Sequence, residues 1–193
     1  TSQAAWTGSS AVMANMVGNH DVTRFISEAM PGGATTYNAW TRPAPIADSI
    51  EAHDRLRLAL SFVLTMPGPS VIYYGDEIGL AGGYDPDNRR PMRFDADLST
   101  LERQTARHVQ RLGQLRRCLS PFGRQPVEFL RTEAQRIAYL RQSEGGQRLI
   151  MVLNRTPKRD SLNLMLSDPN IAPSGRMLDV LSGQEYDVRS GVL

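Results

Sequence analysis

Residues 56–77 read LRLALSFVLTMPGPSVIYYGDE and contain the pattern that decides the fold of the first part of this chain. Apolar residues between 49 and 66 recur at helical spacing while charged residues line another side, which predicts a helix packed on other elements. The breaker PGP at 67–69 ends this helix. The run SVIYY at 70–74 is short and apolar and leads into the acidic cluster GDE, so we predict a buried strand that ends in a polar loop.

A second strand of the same kind precedes the helix. Residues 11–17, AVMANMV, form a mainly apolar run that opens onto the polar cluster GNHD at 18–21. The order strand, helix, strand predicts two parallel strands of one sheet, with polar chemistry at both carboxyl ends. Residues 27–49 are rich in Gly, Pro, Ala, Thr and Ser and predict mostly loop. Tyr37 and Trp40 in this loop are candidates to face a ligand.

The pattern of apolar residues changes after this α/β part. Ser99 and Glu102 form a capping-box signal for a helix that extends to about Leu119. Beyond it, short apolar or alternating runs separated by turn residues predict an antiparallel β domain. The predicted strands lie at 127–130, 137–140, 149–153, 162–166 and 177–181. We therefore expect two domains, residues 1–120 and residues 121–193.

The charge balance argues against a nucleic-acid or membrane partner. The chain has 22 Lys and Arg against 20 Asp and Glu, a formal net charge of +2. The Arg-rich segment 103–117 lacks interleaved aromatic residues, so a solvated helix face explains it better than a nucleic-acid surface. The longest apolar stretch, 56–66, is interrupted by polar residues and is too short to span a membrane.

Metal, cofactor and disulfide chemistry are not expected. The single cysteine, Cys118, excludes an internal disulfide framework and a multi-cysteine zinc site, and we expect it to pack within a helix. The histidines His20, His53 and His108 form no pair at i, i+3 or i, i+4 spacing, so we predict no metal site and no cofactor. The compartment stays open, with a cytoplasmic location slightly favoured.

Asn19, His20 and Asp21 are the leading candidates for chemistry. They place an amide, an imidazole and a carboxylate at successive positions where a strand meets a loop. Sugar hydroxyls require neutral donors together with charged acceptors, and such a set can bind two vicinal hydroxyls and stabilise nearby positive charge. On composition alone a capped turn is an equally good explanation, because Asn and Asp are common turn residues.

Two longer segments resemble the α-amylase family of glycoside hydrolases, in particular its neopullulanase, cyclomaltodextrinase and maltogenic amylase members. MVGNHDVTRF at 16–25 resembles the family's seventh barrel strand, and MPGPSVIYYGDEIGL at 66–80 resembles the eighth strand with its following loop. The resemblance implies that His20 and Asp21 bind hydroxyls of the sugar at the cleavage point, with Asp21 as the third catalytic carboxylate. Asn19 lies beside them in the implied substrate site.

Three charged residues in these segments are expected to be structural. Arg24 matches no catalytic position of the family, and we expect it to form an ion pair. Asp76 and Glu77 could suggest a carboxylate pair for acid and base work, but adjacent side chains on an extended chain point apart. We therefore favour a structural role for them in holding the loop.

The segment AGGYDPDNRRPM at 81–92 is similar to a loop of family members that act on maltooligosaccharides, cyclomaltodextrins or pullulan. In those enzymes an Asp and an Arg help to hold sugars away from the cleaved bond. By position, the resemblance assigns these roles to Asp85 and Arg89, and Tyr84 is a candidate to stack on a sugar face. A solvated turn with surface charge is the alternative explanation.

The resemblance implies the last two strand-helix units of a (β/α)8 TIM barrel followed by a small, truncated antiparallel β-sandwich domain. In this family the nucleophile and the general acid belong to earlier strands, and their motifs do not appear in residues 1–193. We therefore expect a fragment that supplies Asp21 to an enzyme for α-glucosidic bonds of maltooligosaccharides or related α-glucans and is inactive alone. Its expected partners are the α-glucan, the missing amino-terminal part and, through unpaired strand edges, another copy.

Two alternatives stay open at the level of the sequence. Hydrolysis and transglycosylation share a covalent intermediate and differ in the acceptor, so the motifs favour neither. The sequence does not identify the glucan or its linkage either. A non-catalytic carbohydrate-binding or scaffold protein that retains barrel remnants is the alternative to an enzyme.

Overall fold

The computed structural model describes residues 8–9, 11–33, 37–119, 125–143, 145–158, 164 and 174–189. The chain divides into two compact units, Thr1–Gln114 and Leu115–Leu193. The helices are α1 (Phe25–Ala29), α2 (Ile50–Thr65) and α3 (Thr100–Cys118), with short 3-10 turns at Asp76–Ile78, Asp87–Arg89 and Asp95–Asp97. The strands are β1 (Val127–Thr132), β2 (Arg136–Gln142), β3 (Arg148–Asn154), β4 (Ser174–Leu178) and β5 (Glu185–Arg189). None of the described helices is long and apolar enough to cross a bilayer.

Helix α2 forms where the sequence predicts it. The Ser49 side chain accepts a hydrogen bond from Ala52 N at 3.3 Å, which satisfies one of the N–H groups left free in the first turn. Met66 is extended, with φ −74° and ψ 157°, because the residue before a proline disfavours the helical conformation. The buried apolar residues of this helix are Ala52, Leu56, Leu60, Val63 and Leu64.

The two predicted strands of the first unit do not form a ladder. They meet at one parallel bridge between Asn15 and Ser70. Asn15 N donates to Pro69 O at 2.9 Å, and Val71 N donates to Asn15 O at 2.8 Å. Pro69 has no N–H to extend the pairing on one side, and the chain bends at Val17 on the other. The parallel direction is as predicted, while the place of these segments in a barrel stays a prediction.

Helix α3 begins with the predicted capping box. Glu102 N donates to Ser99 Oγ at 3.2 Å, and Ser99 N donates to Glu102 Oε2 at 2.7 Å. Val109 and Leu112 are the buried apolar residues of this helix. The expectation that Cys118 packs inside is wrong, since it is exposed. At 100° per residue it lies about 120° around the helix from Leu112.

The second unit contains two antiparallel sheets. Strands β1, β2 and β3 pair in that order, and β4 pairs with β5. The register of β1 shifts between Phe129 and Arg131, as at a β-bulge. The core contains Ala138, Leu140 and Leu164, and Leu130, Ile150 and Met177 pack against it. Because Met177 belongs to β4, the second sheet contributes to the core of the first, which agrees with the predicted small antiparallel β domain.

One strand prediction differs from the described structure, one observed strand was not predicted, and one prediction lies almost entirely outside the described residues. Strand β4 lies earlier than the predicted strand at 177–181, because Asp179 begins a turn in which Gly183 N donates to Asp179 O at 2.7 Å. The sequence does not predict β5, whose described side chains are exposed and whose sequence has no apolar run. Of the predicted strand at 162–166, only Leu164 is among the described residues.

Candidate functional site

Residues 19–21 form a turn with two exposed side chains. Asp21 N donates a hydrogen bond to Asn19 Oδ1 at 2.8 Å, so the Asn19 side chain closes the turn. His20 Nε2 lies 3.4 Å from Asp21 Oδ1, and these side chains are 62% and 68% exposed. The turn interpretation therefore holds for Asn19, while His20 and Asp21 are open to contact with a ligand.

Arg24 follows this turn and is almost completely buried. Its guanidinium donates to Asp76 Oδ1 at 2.9 Å and to Tyr74 O at 2.6 Å, and its carbon lies 4.0 Å from the centroid of the Tyr73 ring. Burial raises the pKa of Asp76, and the facing guanidinium opposes the rise. The structural ion pair expected for Arg24 is present, and Asp76 is its partner.

Asn88 joins the turn to a second loop. Its side chain is fully buried, and its Nδ2 donates to His20 O and to Val22 O, both at 2.8 Å. Its own carbonyl accepts a hydrogen bond from Arg24 Nε at 2.8 Å. Sequence reasoning missed Asn88, because an Asn in a segment rich in Asp and Pro indicates a turn and gives no sign of a distant partner.

The three predicted residues of the second loop are exposed to solvent. Arg89 Nε lies 2.9 Å from Asp85 Oδ1, and these side chains are 47% and 45% exposed. Tyr84 is 59% exposed. An ion pair of this exposure contributes little to stability. Asp85 and Arg89 can therefore give up their contact with each other and bind a polar ligand at a small cost in free energy.

Asp87 is the carboxylate that holds the second loop together. Its Oδ2 accepts from Gly83 N at 2.6 Å and from Ala44 N at 3.0 Å, and Arg90 contacts both of its oxygens at 2.8 Å. Burial acts to raise the pKa of Asp87, but these hydrogen bonds lower it overall. The sequence did not distinguish this buried Asp from the exposed Asp85, although it anchors the segment around Ala44 beside the loop.

A short hairpin in the anchored segment exposes Trp40. Asn38 and Arg42 exchange two backbone hydrogen bonds of 2.8 and 2.9 Å, and Asn38 Oδ1 also accepts from Trp40 N at 2.9 Å. The Trp40 side chain is 83% exposed, and Tyr37 beside the hairpin is half-buried. Trp40 is therefore accessible, as a residue that faces a ligand must be.

Asn88 thus holds together the two loops that carry all six predicted site residues. The first loop contains Asn19, His20 and Asp21, and the second contains Tyr84, Asp85 and Arg89. Together they offer carboxylates, an imidazole, a guanidinium and a phenol, which can donate to and accept from sugar hydroxyls. Among the described residues no group of three or more His, Cys, Asp or Glu could hold a metal ion.

Comparison with known proteins shows that the chain is similar to carbohydrate enzymes. The chain is 26% identical over 181 residues to a cyclomaltodextrinase of Geobacillus thermopakistaniensis, covering 93% of this chain and 26% of that protein. It is 29% identical over 181 residues to neopullulanase 2 of Thermoactinomyces vulgaris, with 93% of this chain and 26% of that protein covered. The chain therefore spans about a quarter of the length of these curated relatives. No protein-family model matches it.

The fold is similar to that of a solved α-amylase. The Anoxybacillus α-amylase superposes with a TM-score of 0.73 at 26% identity, covering 93% of this chain and 34% of that one. The relatives are glycoside hydrolases of the α-amylase family. Since the likeness extends over nearly the whole chain, it is not confined to the quoted motifs. The resemblance of this chain to the α-amylase family, with cyclomaltodextrinase and neopullulanase among its relatives, is therefore confirmed.

Proposed function

We propose that the protein is part of a retaining glycoside hydrolase or transglycosylase that acts on α-glucosidic bonds of maltooligosaccharides or related α-glucans. The observation that carries the proposal is the exposed pair of His20 and Asp21 next to a parallel-paired segment. Asn88 connects this pair to the loop with the exposed Asp85 and Arg89. Relatives named cyclomaltodextrinase and neopullulanase support an α-glucan substrate.

In the proposed reaction, His20 and Asp21 bind hydroxyls of the glucosyl unit at the cleaved bond. Positive charge develops on this sugar ring in the transition state, and the Asp21 carboxylate interacts with it more strongly than with the neutral ground state. The interaction therefore accelerates the chemical step rather than only tightening binding. The retaining reaction also needs a nucleophile and a general acid, which we expect from outside residues 1–193.

The second loop would bind sugars away from the cleaved bond. Asp85 and Arg89 can each exchange their exposed ion pair for hydrogen bonds to sugar hydroxyls. Tyr84 presents an exposed ring that can stack on a sugar face. These three residues would contribute to affinity for longer substrates, while His20 and Asp21 act at the reacting unit.

The test is the substitution D21N in the intact protein. Asn keeps the shape of Asp but lacks its charge, so we expect kcat/KM on maltotriose, maltodextrin, cyclomaltodextrin and pullulan to fall by at least about 100-fold on every glucan that the wild type uses. Binding of maltotriose should change much less. The matched control D97N neutralises another exposed carboxylate of the same unit and should retain activity.

Two results would contradict the proposal. Near-normal turnover by D21N would exclude the assigned role of Asp21. A wild-type protein that binds α-glucans but neither cleaves nor transfers them would instead support a non-catalytic carbohydrate-binding protein. The 193-residue chain alone is expected to release no product from maltotriose, because it supplies only part of the proposed catalytic groups.

A further inference from the structure

We infer that Asn88 is a positioning residue for Asp21, an inference that rests on the function proposed above. The side-chain amide of Asn88 donates two hydrogen bonds, to His20 O and to Val22 O, both at 2.8 Å. These are the carbonyl oxygens of the residues on either side of Asp21. Asn88 therefore acts on Asp21 through the main chain.

Because the Asp21 side chain is exposed, the position of its carboxylate depends on the main chain. Its side chain is 68% exposed, so side-chain packing does not fix the carboxylate. The turn itself depends on the Asn19 side chain, which accepts from Asp21 N. The hydrogen bonds to the carbonyls of the preceding and following residues therefore restrain the Cα atom of Asp21.

Asn88 is itself held rigidly. Its side chain is fully buried, so water cannot readily replace the amide at the two carbonyls. Its main-chain carbonyl accepts from Arg24 Nε at 2.8 Å, and Arg24 is fixed by its ion pair with Asp76 at 2.9 Å. The buried ion pair, the Asn88 amide and the turn thus form one connected set of contacts that ends at Asp21.

The first test is N88D in the intact protein. The introduced carboxylate has almost the same shape but donates no hydrogen bond, and it faces two carbonyl oxygens. A displacement of a catalytic group by about 1 Å lowers the rate by up to about 100-fold. If the Asp21 carboxylate moves in this way, we expect kcat on maltotriose to fall by about 10- to 100-fold, with KM changed by less than about 3-fold. Amide hydrogen exchange across residues 19–23 should accelerate by about tenfold or more, while exchange in α2 stays unchanged.

The matched control is N15D. Asn15 Nδ2 donates to Pro67 O at 2.7 Å, so this substitution also removes an amide-to-carbonyl hydrogen bond of the same unit. It should lower stability but leave kcat within about 2-fold and exchange at 19–23 unchanged. If N88D does not fold, N88S serves in its place, since a short side chain with one hydroxyl donor cannot bond to both carbonyls.

The pH dependence separates positioning from general destabilisation. A protonated carboxyl at this position regains one O–H donor and can restore one of the two hydrogen bonds. The kcat deficit of N88D relative to wild type should therefore shrink as the pH falls from about 7 to about 5.5. A substitution that merely destabilised the unit would show no such recovery.

The inference is wrong if N88D or N88S, correctly folded, keeps both wild-type kcat and wild-type exchange at 19–23. It is also wrong if N15D lowers kcat as much as N88D does. If the intact wild-type protein cleaves no α-glucan, the proposed function fails, but hydrogen exchange at 19–23 in N88D still decides whether Asn88 holds the turn.

Discussion

At the scale of single residues, the buried ion pair of Arg24 and Asp76 supports the main chain around the site. These side chains are 1% and 4% exposed. Burying two charges costs free energy that is offset only by good geometry and additional hydrogen bonds. Arg24 also donates to the carbonyls of Tyr74 and Asn88, so its planar, forked guanidinium serves three acceptors in a way that a Lys ammonium does not.

The substitution R24A should therefore destabilise the protein strongly. It leaves the Asp76 carboxylate buried without its charged partner, and we expect a loss of about 3–5 kcal/mol in the free energy of unfolding measured with urea. The control D54A breaks an ion pair with Arg57 in which the Asp54 side chain is 62% exposed, and it should cost less than about 1 kcal/mol. Equal losses in the two variants would contradict the importance of burial.

The sequence predicted the ion pair of Arg24 but not its consequences for the site. That expectation came from the resemblance, because Arg24 matches no catalytic position of the family. The partner's identity depends on how the chain folds back over some 50 positions, as the separation of 52 between Arg24 and Asp76 shows. The role of Asn88 was missed for the same reason, since its acceptors lie far away in sequence.

At the scale of elements, helices α2 and α3 and strands β1 to β3 formed where local signals predicted them, whereas the two predicted strands of the first unit did not form a ladder. The Ser49 cap of α2 and the capping box of α3 depend on residues three positions apart, so the sequence contains the whole interaction. A strand requires a partner elsewhere in the chain. The segments joined by the bridge of Asn15 and Ser70 have the composition of strands, but their pairing extends no further among the described residues.

Two glycines give opposite predictions for the same change to alanine. Gly113 lies within α3, and a Cβ there meets no atom within 4 Å, so G113A should stabilise the protein by about 0.5–1 kcal/mol through helix propensity. Gly79 has φ +75°, and a Cβ there would lie 2.8 Å from His53 Cε1, so G79A should destabilise it by about 1–3 kcal/mol. Thermal and urea unfolding of both variants check the signs, and a stabilising G79A would contradict the strain argument.

At the scale of the whole molecule, the buried His53 and the half-buried His108 couple stability to pH. His53 Nε2 lies 3.2 Å from Ala47 O, which can only accept, so Nδ1 accepts from the Thr105 hydroxyl at 2.9 Å. His108 Nε2 lies 2.8 Å from Ser61 Oγ. Burial is the main cause that lowers the pKa of both histidines below 6.5. The folded protein therefore favours the neutral imidazoles that link α2 to α3 and to the preceding loop.

Stability should fall as the pH falls below 6.5, the ordinary value for these groups. In that range the unfolded chain binds protons that folded His53 and His108 do not, so the free energy of unfolding decreases by up to about 1.4 kcal/mol per pH unit for each histidine. Urea unfolding between about pH 7.5 and about 5.5 measures this slope. H108Q should reduce this slope, and a flat profile would contradict the prediction.

The sequence by itself predicted helices α2 and α3 and the antiparallel character of the second unit, gave a turn at 19–21 as one of two explanations, and contained the resemblance to α-amylase-family enzymes. Each follows from residues that are close together in the chain. Only the tertiary structure decided that Asp87 and Asn88 are buried structural residues whereas Asp85 and Arg89 are exposed, although all four lie within one short segment. The physical reason is that burial and hydrogen bonding of a polar side chain depend on which distant carbonyls and amides the fold brings to it.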